Sequence, residues 1–248
     1  MDEVPQRQPQ WASPSELMRG FSTPFEPADS MQAMLKQTFA PHQKTTHAVL
    51  NVNGLSGGPG NLPLFRDLAF QLPAGVSALL GDEGVGKTSL MRLLSGDLIA
   101  TAGQLRLALE ASPLRLPQPW AVFWVDLRLP LHDKDTPLQC WARFRASLPA
   151  WSDETQNGLI NALQLTPHLD KRLSMLSTGS RRKVGLVAAL ASGAKVILLD
   201  QPFVSLDHAC VRSLQAFLAQ QGQNTECAWL IADYEKPEYL PLVSILQL

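Results

Sequence analysis

GDEGVGKTS, Gly81 to Ser89, lies between an apolar run and a stretch with helical spacing. The run before it, VSALL (Val76 to Leu80), has the look of a short strand buried on both faces. A helix is predicted after it, from about Gly86 to Leu94. The stretch fits G-x-x-x-x-G-K-[ST] in the context that motif requires, with a strand before and a helix after. Gly81, Gly84 and Gly86 let a loop bend with its amides inward, without Cβ obstruction. Asp82, Glu83 and Val85 fill the positions between, and Ser89 follows the motif. The helix N-terminus adds partial positive charge where phosphates would sit. Lys87 is expected to reach the β- and γ-phosphates, and the Thr88 hydroxyl to ligate Mg²⁺.

HAVLNVNGL reads as a strand, SGGPGN as a turn and LFRDLAFQL as a second strand. QLRLALE is a further strand, and WAVFWV (Trp120 to Val125) a buried one. Thr136-Pro137 is an N-cap and N1 pair opening a helix through Leu148. Ser152 is placed to cap a second helix through Leu163, and a third runs from about Gly179 to Ala191. VILLD (Val196 to Asp200) is the next strand, then a helix around His208 to Gln220, then the strands AWLIAD and VSILQL. Strands alternating with helices imply an α/β fold with a largely parallel sheet covered on both faces. The expected architecture is a P-loop three-layer sandwich. It has a mainly parallel sheet, an antiparallel N-terminal β portion and an inserted helical subdomain at about 127–178. VILLD matters for function too, because a buried strand ending in an acid would set Asp200 beside the phosphate loop to position Mg²⁺.

Residues 1–46 differ in composition from 47–248, being rich in Pro, Gln and Ser, and are expected to form a mobile extension. Ser30 is placed to cap a short helix there with Met31, Met34, Leu35 and Phe39 on one face. That helix would pack on its own domain or dock on another subunit. Apolar residues make up 45% of the 248 and charged residues 17%, which describes a globular chain. The net charge of −1 gives no electrostatic case for nucleic acid, which is not an expected partner. Cys140, Cys210 and Cys227 have no metal-ligand spacing and read as reduced thiols of a cytosolic protein. No apolar run reaches bilayer length, and MDEVPQRQPQ has no secretory h-region. His132 and His168 stand alone in loop-like stretches, with no metal or acid-base role expected.

Between the phosphate loop and Asp200 lies LSTGSRRKVGLVAALASGAKVILLD. This resembles the signature segment of ATP-binding cassette (ABC) ATPases, usually LSGGQ followed by a basic helix. Ser205-Leu206-Asp207 is similar to that family's D-loop, and the resemblance covers residues 47–248. The short build and the turn through Pro202 and Phe203 look most like the small haem-exporter-type ATPases. The resemblance implies ATP and Mg²⁺ as cofactors. It also implies a second ABC domain, as homodimer or heterodimer, with each phosphate loop closed by the other's signature segment. Ser177 and the Gly179 amide would then contact the γ-phosphate, with Thr178 in place of a glycine beside them. Ordinary N-capping by Ser177 or Thr178 is the plainer reading, and both can hold. A membrane permease is the implied partner, and the chain would sit in the cytoplasm against the inner or cell membrane. Trp120, Trp124, Trp141 and Trp151 are expected to be mainly core, with one or two lining the permease groove. Arg181, Arg182 and Lys183 read as a solvated helix face.

Four positions depart from the family pattern. Gln201 stands where the resemblance implies the catalytic glutamate, and an amide cannot take a proton at neutral pH. Tyr234 stands at the usual histidine position. The glutamine that usually faces Mg²⁺ after WAVFWV is missing, leaving Asp126 as the nearest metal candidate. SGGPGN has no aromatic to stack on adenine. Phe65 is a possible substitute, but a core role fits it better. Gln201 is thus an engineered trap or a natural divergence. The other departures are not needed for trapping, which favours divergence. The expected function is an ATP-binding transporter subunit with impaired turnover. The alternatives are a catalytically silent ABC domain whose nucleotide governs assembly, and a soluble non-transport ABC ATPase.

Overall fold

The computed structural model describes residues 47–60, 63–108, 110, 117–127 and 129–248. The expectations for residues 1–46, the Ser30 helix among them, lie outside the described residues.

Ala48–Gly57 (β1) pairs antiparallel with Phe65–Pro73 (β2) on one side and Ala102–Leu107 (β4) on the other. Five more strands form a parallel sheet: Gly75–Leu80 (β3), Val122–Phe123 (β5), Val196–Asp200 (β6), Ala228–Asp233 (β7) and Leu242–Gln247 (β8). Their order is β5-β6-β7-β3-β8. The helices are Lys87–Ser95 (α1), Pro137–Ser147 (α2), Asp153–Ala162 (α3), Thr178–Ala191 (α4) and His208–Gln221 (α5).

Period-two alternation along the buried strands sorts side chains into two cores. Val196 and Leu198 of β6, with Leu230 and Ala232 of β7, face a core shared with α1 and the antiparallel sheet. Ile197 and Leu199, with Trp229 and Ile231, face a core shared with α2 to α5. The parallel sheet is therefore the middle of three layers, and its carboxyl ends emerge between them. Ligands of open parallel sheets bind at such an edge.

Local sequence fixes the helix starts. Thr136 forms a capping box with Gln139: Gln139 N–H donates to Thr136 Oγ1 at 3.3 Å, and Thr136 N–H to Gln139 Oε1 at 3.0 Å. Ser152 accepts from Thr155 N–H at 3.1 Å. Trp141 is buried and ties α2 to α4 by donating to Val184 O at 3.0 Å.

The strand expected over Trp120 to Val125 is a correction. Only Val122 and Phe123 pair with β6, and Trp120 is 38% exposed. Trp124, Val125 and Asp126 leave the ladder to line a cavity against α4 and the end of β6. An apolar run cannot say where its ladder stops.

Candidate functional site

The phosphate loop hangs from β3, whose Val76, Ala78 and Leu79 are fully buried. It ends at Gly86, the N-cap of α1, with φ +111°. A Cβ there would fall 2.6 Å from Leu64 Cδ2 and 2.9 Å from Phe65 Cζ, so both backbone and space demand glycine. Phe65 belongs to the core under this loop. No side chain caps α1, so its first-turn N–H groups have no side-chain acceptor. An uncapped helix start behind a glycine loop is an anion cradle.

Lys87 is buried, at 5% exposure, and its ammonium is fully engaged. It donates to Gly81 O at 2.7 Å and Asp82 O at 2.8 Å. The Tyr234 ring lies over it, with the ammonium nitrogen 4.3 Å from the ring centroid. Thr88 Oγ1 donates to Asp200 Oδ2 at 2.7 Å, joining the start of α1 to the end of β6. The fold thus brings Lys87, Thr88, Asp200 and Tyr234 to one sheet edge. Asp126 lines a cavity with Asp200, Arg181 and Arg182. Asp82, Glu83, Gly84 and Thr88 are exposed, while Gly81 is buried and Val85 and Ser89 are half-buried.

Gln201 follows Asp200 with φ +46°, in the left-handed region. Its N–H donates to Ala232 O at 2.9 Å. Its carbonyl accepts from the Arg182 guanidinium and from Val204 N–H at 3.3 Å. The backbone at this position is pinned, so the residue type alone sets what chemistry the side chain offers.

Ser177 caps α4, accepting from Ser180 N–H at 3.2 Å and donating to Ser180 Oγ at 3.1 Å. Thr178 begins the helix and is exposed. A Cβ on Gly179 would run into the Ser205 carbonyl, and Ser205 itself has φ +63°. Among the described residues, no hydrogen bond or ion pair joins Ser177 or Gly179 to the loop at Gly81–Ser89.

The basic run Arg181 to Lys183 is not a solvated face. Arg181 donates to Leu127 O, donates to Leu129 O at 2.9 Å, and ion-pairs with Asp133 at 2.6 Å. Lys183 ion-pairs with Asp207 at 2.8 Å with its side chain 12% exposed. Hydrogen bonding from Lys183 and from Cys210 holds the Asp207 carboxyl well below the usual range. Burial alone would lower the Lys183 ammonium, but Asp207 and Cys210 raise it on balance. The partners lie far away in sequence, so helical periodicity could not find these clamps.

Asp233 was also missed. It closes β7 and is half-buried. Burial pushes its carboxyl up, against the Tyr234 N–H and Lys87, with Asp200 and Glu235 adding to the rise. The only trace in the sequence is the acid that ends AWLIAD.

Comparison with known proteins agrees with this geometry. A sequence model of the family described as ABC transporter matches residues 65–204. The taurine import ATP-binding protein TauB of Pseudomonas entomophila is 30% identical over 171 residues, 67% of this chain and 65% of that protein. The chain thus spans just under two thirds of that relative. The cytochrome c biogenesis ATP-binding export protein CcmA of Zymomonas mobilis is 35% identical over 169 residues, 66% of this chain and 69% of its own. An ABC transporter ATP-binding protein structure from Pyrococcus furiosus superposes with a TM-score of 0.61 at 18% identity, covering 80% of this chain and 96% of that one. At that identity the likeness speaks to the fold alone.

Proposed function

Because the chain belongs to the ABC transporter family, we propose that it is the ATP-binding subunit of a transporter, working with a membrane permease and a second ATP-binding domain. The observation that carries this reading is the 2.7 Å hydrogen bond between Thr88 and Asp200, beside the uncapped helix start and Lys87. Gly81 to Ser89 would hold the triphosphate through backbone amides, and Lys87 would exchange loop carbonyls for phosphate oxygens. The oxygen donors of Thr88, Asp200 and Asp126 suit a hard divalent cation. Bound there, Mg²⁺ would neutralise part of the triphosphate charge. Ser177 and the Gly179 amide would serve the partner domain's nucleotide, and the N-cap bond Ser177 makes now is compatible with that role.

Gln201 limits turnover, because its amide cannot act as a general base at neutral pH. ATP binding is left intact and hydrolysis slow or partner-assisted. No helix among the described residues is long and apolar enough to cross a membrane. The proposed location is the cytoplasmic side of the inner or cell membrane, reached through the permease. The two relatives act in taurine import and in cytochrome c biogenesis export, so they point to no shared cargo or direction. The Tyr234 ring over Lys87 favours a second reading, a silent domain whose nucleotide governs assembly.

The test is steady-state ATP turnover of the purified chain beside Gln201→Glu. The substitution is expected to raise turnover by about 100-fold, the lower end of a general-base contribution. Equal rates would overturn the role given to position 201.

A further inference from the structure

Gln201 stands in a backbone conformation that its own chemistry does not favour. Its φ of +46° lies in the left-handed region, where a Cβ is crowded. Pro202 follows it, and a proline pushes the residue before it towards an extended backbone. Such a conformation persists only where its surroundings over-determine it. Here they come from two elements. From β7, Ala232 O accepts the Gln201 N–H at 2.9 Å. From α4, the Arg182 guanidinium donates to the Gln201 carbonyl. The loop's own contribution to that carbonyl is Val204 N–H, at a longer 3.3 Å. Gly179, Arg182 and Lys183 stand at i, i+3 and i+4 of α4, and all three meet the loop after β6. Gly179 leaves room for the carbonyl of Ser205, which is left-handed too, at φ +63°. Lys183 pairs with Asp207, which caps α5 by accepting from Cys210 N–H at 2.9 Å. Those two contacts are explained by packing and capping. The Arg182 bond falls instead on the residue next to Asp200, whose carboxylate accepts from Thr88 at 2.7 Å. Arg182 also lines, with Trp124, Asp126 and Asp200, the cavity at the end of β6.

We propose that Arg182 is a positioning residue for ATP hydrolysis: by holding the Gln201 carbonyl it keeps residue 201 left-handed, and so fixes where that side chain stands relative to Asp200. The proposal rests on the ATP-binding reading above. The backbone angles at 201 set the direction of its Cα–Cβ bond, so a change of basin swings the side chain away whatever it is. Arginine suits the task, because its guanidinium keeps its charge and its planar donors at every working pH. The value of the placement depends on what stands at 201. An amide can still orient a water by hydrogen bonding. A carboxylate gains more, because proton transfer needs the acceptor within hydrogen-bond reach of the water. Arg182 and residue 201 therefore act as a coupled pair.

The experiment uses the full chain with ATP and Mg²⁺. It measures kcat and equilibrium ATP affinity for wild type and Gln201→Glu, each alone and combined with Arg182→Met, Arg182→Ala or Arg182→Lys. Methionine keeps an aliphatic stem without a donor, and lysine keeps a donor. In the Gln201→Glu chain, Arg182→Met is expected to lower kcat by about 10- to 100-fold, the cost of a misplaced group, with ATP affinity unchanged. Arg182→Lys should recover part of that loss. With Gln201 in place, Arg182→Met should lower kcat by a smaller factor. Arg182→Ala repeats the test should methionine disturb the packing. Equal factors in the two backgrounds would overturn the assignment, as would an unchanged kcat. So would loss of ATP binding in both donor-free variants, since Arg182 would then serve the fold. With wild type binding ATP normally, each of these results overturns this assignment alone. Wild type that fails to bind ATP would overturn the binding reading with it.

Discussion

Lys87 is the residue on which the site turns. Its ammonium is satisfied by two loop carbonyls and the face of Tyr234. Triphosphate must displace that ring or share the cation with it. The Tyr234 ring is itself exposed, and cation–π contacts at exposed sites are worth about 0.5–1 kcal/mol. Tyr234→Ala is therefore expected to tighten ATP binding by about two- to fivefold, measured by calorimetric titration. Weaker binding would mean that the phenol itself serves the nucleotide. Lys87, Thr88 and Asp200 were legible in the sequence because a short motif with a strand before and a helix after permits few geometries. Asp233 was not, because nothing local says that its strand lies between those of Leu80 and Asp200. Arg181 and Arg182 were misread for a similar reason: they bond carbonyls at Leu127, Leu129 and Gln201.

At the scale of elements, the helix starts were the most legible feature. Thr136, Ser152, Ser177 and Asp207 each cap through a side chain one turn from the backbone they serve. The end of β5 was illegible, because it depends on a ladder to β6 that lasts two residues. The segment between β5 and α4 also carries a pH sensitivity. His132 closes the 3-10 turn Pro130–His132. Burial lowers it from the ordinary 6.5, with Arg143 and Arg181 assisting against Asp135 and Asp126. The folded chain therefore binds fewer protons at this site than the unfolded chain. Stability should fall as the pH drops through 6.5 and level off once the lowered folded value is passed. His132→Gln is expected to flatten that slope, read as denaturant midpoints on either side of 6.5. Parallel slopes for the two proteins would contradict this account of His132.

At the scale of the whole molecule, layer order explains why one edge carries the chemistry. Both faces of the parallel sheet are covered, so polar groups collect where its strands end. β3 delivers the phosphate loop, β6 delivers Asp200 and Gln201, and β7 delivers Asp233 and Tyr234. The alternating pattern foretold a parallel sheet with helices, and the family signature foretold its kind. The most direct test of the central claim is equilibrium binding of ATP, with and without Mg²⁺, to the wild-type chain and to Lys87→Ala. Saturable binding that Mg²⁺ strengthens is expected, with Lys87→Ala weakening it by about 10- to 100-fold, the worth of a charged hydrogen bond. Absence of saturable binding, or equal affinity in the two proteins, would contradict it.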